Sequence, residues 1–599
     1  MSELYKDSTA STPERVEDLL SRMTIEEKVG QLFQQMIAPG PGGTVSEGDP
    51  VFGLPPTRGL IEDKQISHFN VLGAPDTTRE FAQWINSLQE IAENTRLGIP
   101  VSISSDPRHA FTDNPAAALM TRTFSQWPET LGLAAIGDED ITEEFGDIAR
   151  REYIAVGIRT ALHPQIDLAT EARWARGNGT FGEDATLTAR MGCAYVRGFQ
   201  GTGKFGEGFG TTSVSAMAKH FPGGGPQLDG EDPHFEYGRE QVYPGGMFDL
   251  HLEPFKAIIA EGTRQMMPYY GMPIGTEWEE VGFGFNKGIL TDLLRNRLGF
   301  EGIICTDWGL ISDVEIMGQP FPARAWGVEH LSEKERALKI IEAGADQFGG
   351  ETRTDLILEL VAEGALTEDR IDASVRRLLT EKFELGLFDD KRYVDLDEAE
   401  RIVGSEEFRA KGLAAQRASI TVLKNSEGAA HLPLAGDQQV KLFVEGGNAE
   451  AYAAYATIVD SAEDADVVLV RAKTPFEERG PGFEAFFHAG SLEFTDEERE
   501  RILALCVAKP VIMDIYLERP AIITPFAEGT EEAPGASAIV ANYGASDEAL
   551  ADVLFGASAP KGRLPFDLPR SIAAVVEANS DTPFDTKDPV YRFGHGLSL

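Results

Sequence analysis

Short apolar runs recur through the first 390 residues of this chain, each separated from the next by a longer amphipathic stretch. IPVSIS (99–104), IRTALH (158–163), VSAMAKH (214–220), RQMMPYY (264–270) and GIICTDW (302–308) read as strands. Between them lie helical segments such as ILTDLLRNRL (289–298). Its apolar residues fall at i, i+1, i+4 and i+5, and it stops at Gly299. Near the start, TIEEKVGQLFQQM opens a helix, with Thr24 as N-cap and Glu27 completing a capping box. Strands alternating with helices over this length predict parallel β/α packing, most simply a (β/α)8 barrel with long loops.

The first domain is expected to span 12–390, closing with ASVRRLLTEKFELGLFDD, and a charged connection occupies 391–410. From Lys411 to Leu599 a second pattern begins: ASITVLKN, QVKLFVEG, ADVVLVRAK, KPVIMDIY and ASAIVAN, with helical stretches between. That predicts an α/β sandwich whose open sheet is mostly parallel. A chain of 599 residues is too long for one ordinary core and agrees with two domains.

Lys and Arg number 54 against 97 Asp and Glu, a formal charge of −43. Such a surface repels phosphate backbones and anionic lipid, which argues against nucleic-acid and membrane partners. A neutral substrate feels little of that field, and solubility is the plain reading of the acidity. Cys193, Cys305 and Cys506 lie far apart in apolar runs, with neither metal-ligand spacing nor a disulfide framework. The first residues lack the apolar core of a leader, and no apolar run reaches the roughly 18 residues of a membrane span. The expectation is a soluble protein in a reducing, cytoplasmic setting. The sequence does not decide the oligomeric state, and a homodimer is kept open.

In a β/α barrel the side chains at the C-terminal strand ends build the site. Taken in order they are Asp106 after VSISS, Arg176 on an extended loop, Lys219 and His220, Tyr269, and Asp307 with Trp308. Two carboxylates, two cations, an imidazole and two aromatics suit a sugar: acceptors and donors for hydroxyls, a flat wall, and one carboxylate placed to attack. Each residue also has a plainer reading. An Asp after a strand is often an N-cap, a Lys-His pair is often surface, and a Trp often fills a core.

KHFPGGG, GFEGIICTDW and the terminal YRFGHGLSL, together with MTIEEKVGQL, FELGLFDD and EALADVLFGASAPKGRLPFDLPRS, resemble glycoside hydrolase family 3 over nearly the whole chain. The resemblance implies a (β/α)8-like barrel, an α/β sandwich, and a retaining mechanism on β-linked sugars without metal or cofactor. Many members carry a further fibronectin-like domain after the FGxGLS segment. The chain ends inside that segment, so a third domain is not expected. Carried over by motif, Asp307 is the nucleophile. Lys219, His220, Arg176 and Asp106 hold the hydroxyls of the terminal non-reducing sugar, and Tyr269 and Trp308 are the aromatic neighbours. The position of Asp106 implies a closed end and an exo mode. One segment departs from the family pattern: EARWAR (171–176) has Ala172 in place of Pro and Ala175 in place of Gly.

The resemblance leaves two candidates for the acid/base. In exo-glucanase-like members it is a Glu of the second domain, in a Pro-aromatic-x-Glu segment; KTPFEERGPGFEAFF aligns Glu478 there, with Glu477 beside it. On an extended segment only one of the two can reach a cleft. The N-acetylglucosaminidase branch instead uses an Asp-x-His dyad, here Asp232-Pro233-His234. The expected function is a retaining, exo-acting β-glycosidase, first of all a β-glucosidase acting on small β-glucosides through Asp307 and Glu478. Xylose is not separated from glucose. The alternatives are a β-N-acetylglucosaminidase or phosphorylase using Asp232 and His234, and a sugar-binding protein with a relic site.

Overall fold

The computed structural model describes residues 3–111, 118–435 and 438–599. Eight strands close into a barrel in chain order: β1 Phe33–Ile37, β2 His68–Val71, β3 Ser102–Ser105, β4 Thr160–Ala161, β5 Ser215–Phe221, β6 Gln265–Pro268, β7 Ile303–Trp308 and β8 Gln347–Gly349. Every neighbouring pair is parallel, and β1 seals the ring between β2 and β8. Helices cover the outside, among them Thr78–Glu93, Glu139–Val156, Ala185–Gln200 and Glu333–Ala343. β2, β3, β5, β6 and β8 are buried along their whole lengths, as strands covered on both faces must be.

One local expectation changes. Thr24 caps a helix through the Glu27 N–H, and Glu27 completes the capping box, but the helix covers only Ile25–Gln31. FQQMI is β1. Val29, Leu32, Phe33 and Met36 fit helical spacing, so periodicity alone cannot break the segment. The unpaired edges of β2 and β8 break it by supplying a ladder on both sides. ILTDLLRNRL is helical as expected, wound as a π-helix over Gly288–Arg297.

The second sheet has six strands: β9 Thr421–Asn425, β10 Lys441–Glu445, β11 Thr457–Ile458, β12 Val467–Lys473, β13 Val511–Tyr516 and β14 Ala538–Asn542. Their order is β9–β14–β13–β12–β10–β11, with β9 antiparallel to β14 and all other pairs parallel. Side chains alternate across it. Val468, Val470, Met513 and Ile539 enter one apolar cluster, while Val467, Leu469, Ile512 and Val540 enter another on the opposite face. The stretch 391–410 is not a bare connection. It holds the helix Leu396–Ile402, which packs on Thr78–Glu93 and Glu139–Val156, and the start of the helix Glu406–Ser419.

The two sheets are joined by buried polar contacts. Arg519, fully buried, donates to the carbonyls of Arg173, Gly490 and Pro475. Glu183 accepts from the N–H groups of Asp567 and Phe584, and Asp581 from those of Gly245 and Met247. No helix among the described residues is long and apolar enough to cross a membrane.

Arg108 fixes the top of the barrel. It is fully buried and donates to Ser105 Oγ at 2.6 Å, Gly73 O at 2.8 Å, Thr121 Oγ1 at 3.0 Å and Val71 O at 2.7 Å. Burial pulls its pKa down to about 10, still protonated at neutral pH. Arg108→Met strands these acceptors and is expected to cost about 3 kcal/mol, read as a lower urea midpoint at unchanged slope.

Candidate active site

The strand ends converge on a cavity of about 440 Å³ lined by Asp106, Arg176, Lys219, His220, Asp307 and Trp308. Lys219 and His220 are consecutive on β5, yet both face it. The ladder with β6 shifts register between Lys219 and Phe221, which breaks the usual alternation. Arg176 comes from the loop after β4 that carries EARWAR. Ala175 packs against Phe487 and Ala489 of the second domain.

Nearly every polar group at the floor is satisfied. Lys219 Nζ lies 2.9 Å from Asp106 Oδ1, and Asn70 Nδ2 donates to Oδ2 at 3.2 Å. Burial pushes the Asp106 carboxyl up, but Lys219, Asn70 and His163 together outweigh it and the group stays below its ordinary range. His220 Nδ1 is 2.7 Å from Asp167 Oδ2, while Asp167 Oδ1 accepts from the N–H groups of His220 and Gly224. Asp167 therefore fixes the proton on Nδ1, leaving Nε2 to accept from Arg176 Nη1 at 2.9 Å. Burial, with Arg176 beside it, holds His220 well below the ordinary imidazole range, so the ring is neutral.

Asp307 stands apart. It is 7% exposed; Oδ1 accepts from the Trp308 N–H at 2.8 Å, and buried Oδ2 has no donor among the described residues. The nearest cationic-type nitrogen, His220 Nε2, is 3.9 Å from Oδ2 and is itself an acceptor. Asp307 thus presents a free lone pair to the cavity. Arg176 supplies compensating charge: Tyr269, Asp232 and Asp307 raise its pKa despite the opposing effect of burial, so it is a permanent cation.

Beside this floor Asp232 gathers four donors. Oδ2 accepts from Trp174 Nε1 at 3.0 Å and Tyr269 OH at 2.9 Å; Oδ1 accepts from the His234 N–H at 3.0 Å and pairs with His234 Nδ1 at 2.6 Å. Burial opposes the charge on Asp232, but His234 and Arg176 hold its carboxyl far below the ordinary range. His234 lines the cavity and is sandwiched between the rings of Tyr270, 4.6 Å away, and Phe487, 4.8 Å away.

Two expectations are corrected by this geometry. Tyr269 does not line the cavity. Its ring lies under His220 at 4.4 Å and its hydroxyl holds Asp232, while the next residue, Tyr270, faces the cavity. Glu477 and Glu478 do not reach the cavity either. Both are exposed; the Glu477 carboxylate accepts from the Ser491 N–H at 3.2 Å and lies 3.7 Å from Arg479. The long stretch that follows them puts Phe483, Phe486 and Phe487 against the cavity instead. Sequence reasoning passed over Asn70, Asp167, Tyr270 and Arg324. Only Asp167 had a legible signal, an acid a few residues beyond the IRTALH strand.

Models of the N-terminal and C-terminal domains of glycosyl hydrolase family 3 match residues 24–381 and 451–599. The chain belongs to glycosyl hydrolase family 3. Its relatives include a probable β-glucosidase C of Aspergillus flavus, 51% identical over 99% of this chain and 92% of its own length. A periplasmic β-glucosidase/β-xylosidase of Dickeya chrysanthemi is 39% identical over 99% of this chain and 91% of its own. Among solved structures, a β-glucosidase from Erythrobacter marinus superposes with a TM-score of 0.76 at 23% identity, covering 100% of this chain and 84% of that one. At that identity the likeness is one of fold.

In this family 3 barrel the loop after Asp307 rests on Glu351, just past β8. Glu351 is 4% exposed, and its Oε1 accepts from the N–H groups of Ile311 at 2.7 Å and Ser312 at 3.1 Å. Burial pushes its carboxyl up to about 7 from 4.5. A protonated carboxyl keeps both bonds on Oε1, so the folded protein retains a proton that the unfolded chain releases above 4.5. Stability from this group is therefore full below that value and falls by about 3 kcal/mol as pH rises to 7. Glu351→Gln mimics the protonated form. Between pH 4.5 and 8 its urea midpoint is expected to fall less than that of the wild type.

Proposed function

We propose that the protein is a retaining, exo-acting β-glucosidase that releases terminal β-D-glucose from small β-glucosides, with Asp307 as nucleophile. One observation carries the reading: among the described carboxylates that line this cavity, Asp307 alone offers a buried oxygen with no donor, beside a cluster of hydroxyl-binding groups. Asp106, Lys219 and Asn70 sit where a sugar ring would end, and each can share a bond with a hydroxyl. The 51% identity to a probable β-glucosidase C supports glucose as the sugar, and the Dickeya relative, named for both β-glucosidase and β-xylosidase activity, supports a β-glycosidase of this size of sugar.

In this reading Asp307 Oδ2 attacks the anomeric carbon as the glycosidic bond breaks, and an acid protonates the departing oxygen. Water then attacks the glycosyl ester, giving its proton back to the same group. His234 is the proton donor the geometry favours over Glu477 and Glu478. Its Nδ1 is held by ionised Asp232, which orients the ring, and the ring faces the cavity.

Asp307→Ala is expected to lower kcat on a chromogenic β-glucoside at least about a thousandfold. NMR of the first-formed sugar should show the β-anomer; the α-anomer would refute retention. His234→Ala should lose far more activity on substrates with basic leaving groups than on nitrophenyl glucosides, with azide restoring turnover. If Glu477→Gln or Glu478→Gln shows that signature instead, the donor belongs to the second domain. Preference for an N-acetylglucosaminide, or turnover dependent on phosphate, would overturn the glucosidase reading.

A further inference from the structure

The cavity has two chemically different halves. The floor is polar, as described above. The mouth is built from three segments distant in sequence: the loop bearing Phe52 and Leu54, the antiparallel hairpin of Val314–Ile316 and Gln319–Phe321, and the second-domain stretch bearing Phe483 and Phe487. These segments touch one another. The Met317 N–H donates to Val51 O at 2.6 Å; the rings of Phe321 and Phe483 are 5.3 Å apart, and those of Phe483 and Phe487 5.5 Å. The result is a continuous apolar wall running from His234 outward.

A second sugar at the mouth would need hydrogen-bond partners for its hydroxyls, and the side chains these three segments turn to the cavity, Phe52, Leu54, Val314, Ile316, Phe321 and Phe483 among them, are apolar. Arg324 lies 4.3 Å from the centre of the Phe321 ring, but its Nε and Nη2 donate to Trp308 O and its Nη1 to Pro322 O. Gln35 Oε1 accepts from the Met36 N–H. The apolar surface continues past the mouth: Val51 is 50% exposed, Val314 41% and Met317 38%. A neighbouring groove of about 340 Å³ shares Ile316, Phe321 and Phe483 with the cavity. Solvent-facing apolar side chains gathered at the entrance of a polar-floored site mark a surface that gains by being covered.

We propose that this mouth is a leaving-group subsite for apolar aglycones, so that the preferred substrates are β-glucosides of aromatic or long aliphatic alcohols and not glucose disaccharides. The inference rests on the β-glucosidase reading above. The sugar seated on the floor points its anomeric oxygen toward the mouth, and the aglycone displaces water from Ile316, Phe321 and Phe483. Such burial lowers the energy of bound substrate and transition state alike, so it acts chiefly on KM.

The test compares kcat/KM for methyl, butyl and octyl β-D-glucoside, all below micellar concentration, and for cellobiose. The three alkanols are similarly poor leaving groups, so differences among them report binding and not bond strength. Octyl glucoside should exceed methyl glucoside and cellobiose by at least about tenfold, mostly through KM. Phe483→Ser and Ile316→Ser should each lower the octyl-to-methyl ratio severalfold. An octyl-to-methyl ratio near one, a preference for cellobiose, or a ratio unmoved by both substitutions would overturn the proposal. Failure to hydrolyse any β-glucoside would instead sink the underlying activity. Calorimetry with octyl β-thioglucoside then reads the subsite directly: binding weakened by Phe483→Ser supports it, and absence of binding to the wild type overturns it.

Discussion

A buried carboxylate oxygen with no donor is the constraint around which this site is arranged. A hydrogen bond would ordinarily relieve it, and Asp307 Oδ2 has no donor among the described residues. The neighbouring charges are arranged so that it can persist. Asp106 is taken by Lys219 and Asn70, Asp167 by His220 and Gly224, and Asp232 by Trp174, Tyr269 and His234. Arg176 brings positive charge near Asp307, but its Nη1 is directed at His220. The field of a cation is present without the bond that would blunt the nucleophile.

The second domain acts on this floor indirectly. Its phenylalanines close over the cavity and press on the His234 ring, while Arg519 ties the loop before Arg176 to the strand ends of the second sheet. Ala175 belongs to the same contact, since its small side chain lets Phe487 approach the loop that carries Arg176. The loop after β4, the dyad and the aromatic wall therefore share one interface. A substitution on the second-domain side, far from the sugar, would be felt at Arg176 and His234 together.

The barrel was legible because its strands are short apolar runs whose ends carry the chemistry. Asp307, Lys219, His220, Asp106, Arg176 and Trp308 all meet in one cavity, as reading the strand ends in order implies. β1 was not legible, because FQQMI continues a helical spacing and becomes a strand only when β2 and β8 need it. Tyr269 and Tyr270 could not be told apart by residue type, because a strand end turns one ring under His220 and the other into the cavity. Glu477 and Glu478 match a family segment, but a match along the chain says nothing of direction in space, and it is Phe483, Phe486 and Phe487 further on that line the cavity.

By itself the sequence determined the alternation of strand and helix, the two-domain plan and the residue types at the strand ends, because hydrophobic period and local motif are properties of neighbours along the chain. Only the tertiary structure decided which oxygen of which carboxylate is left without a partner, which ring faces the sugar, and which titratable group of the dyad or the second domain stands at the cavity. Those are set by hydrogen bonds and packing between residues tens to hundreds of positions apart, from the 2.6 Å contact of Asp232 with His234 to the 2.7 Å bond from Arg519 to the carbonyl of Arg173. No local pattern encodes a contact of that range until the barrel has closed.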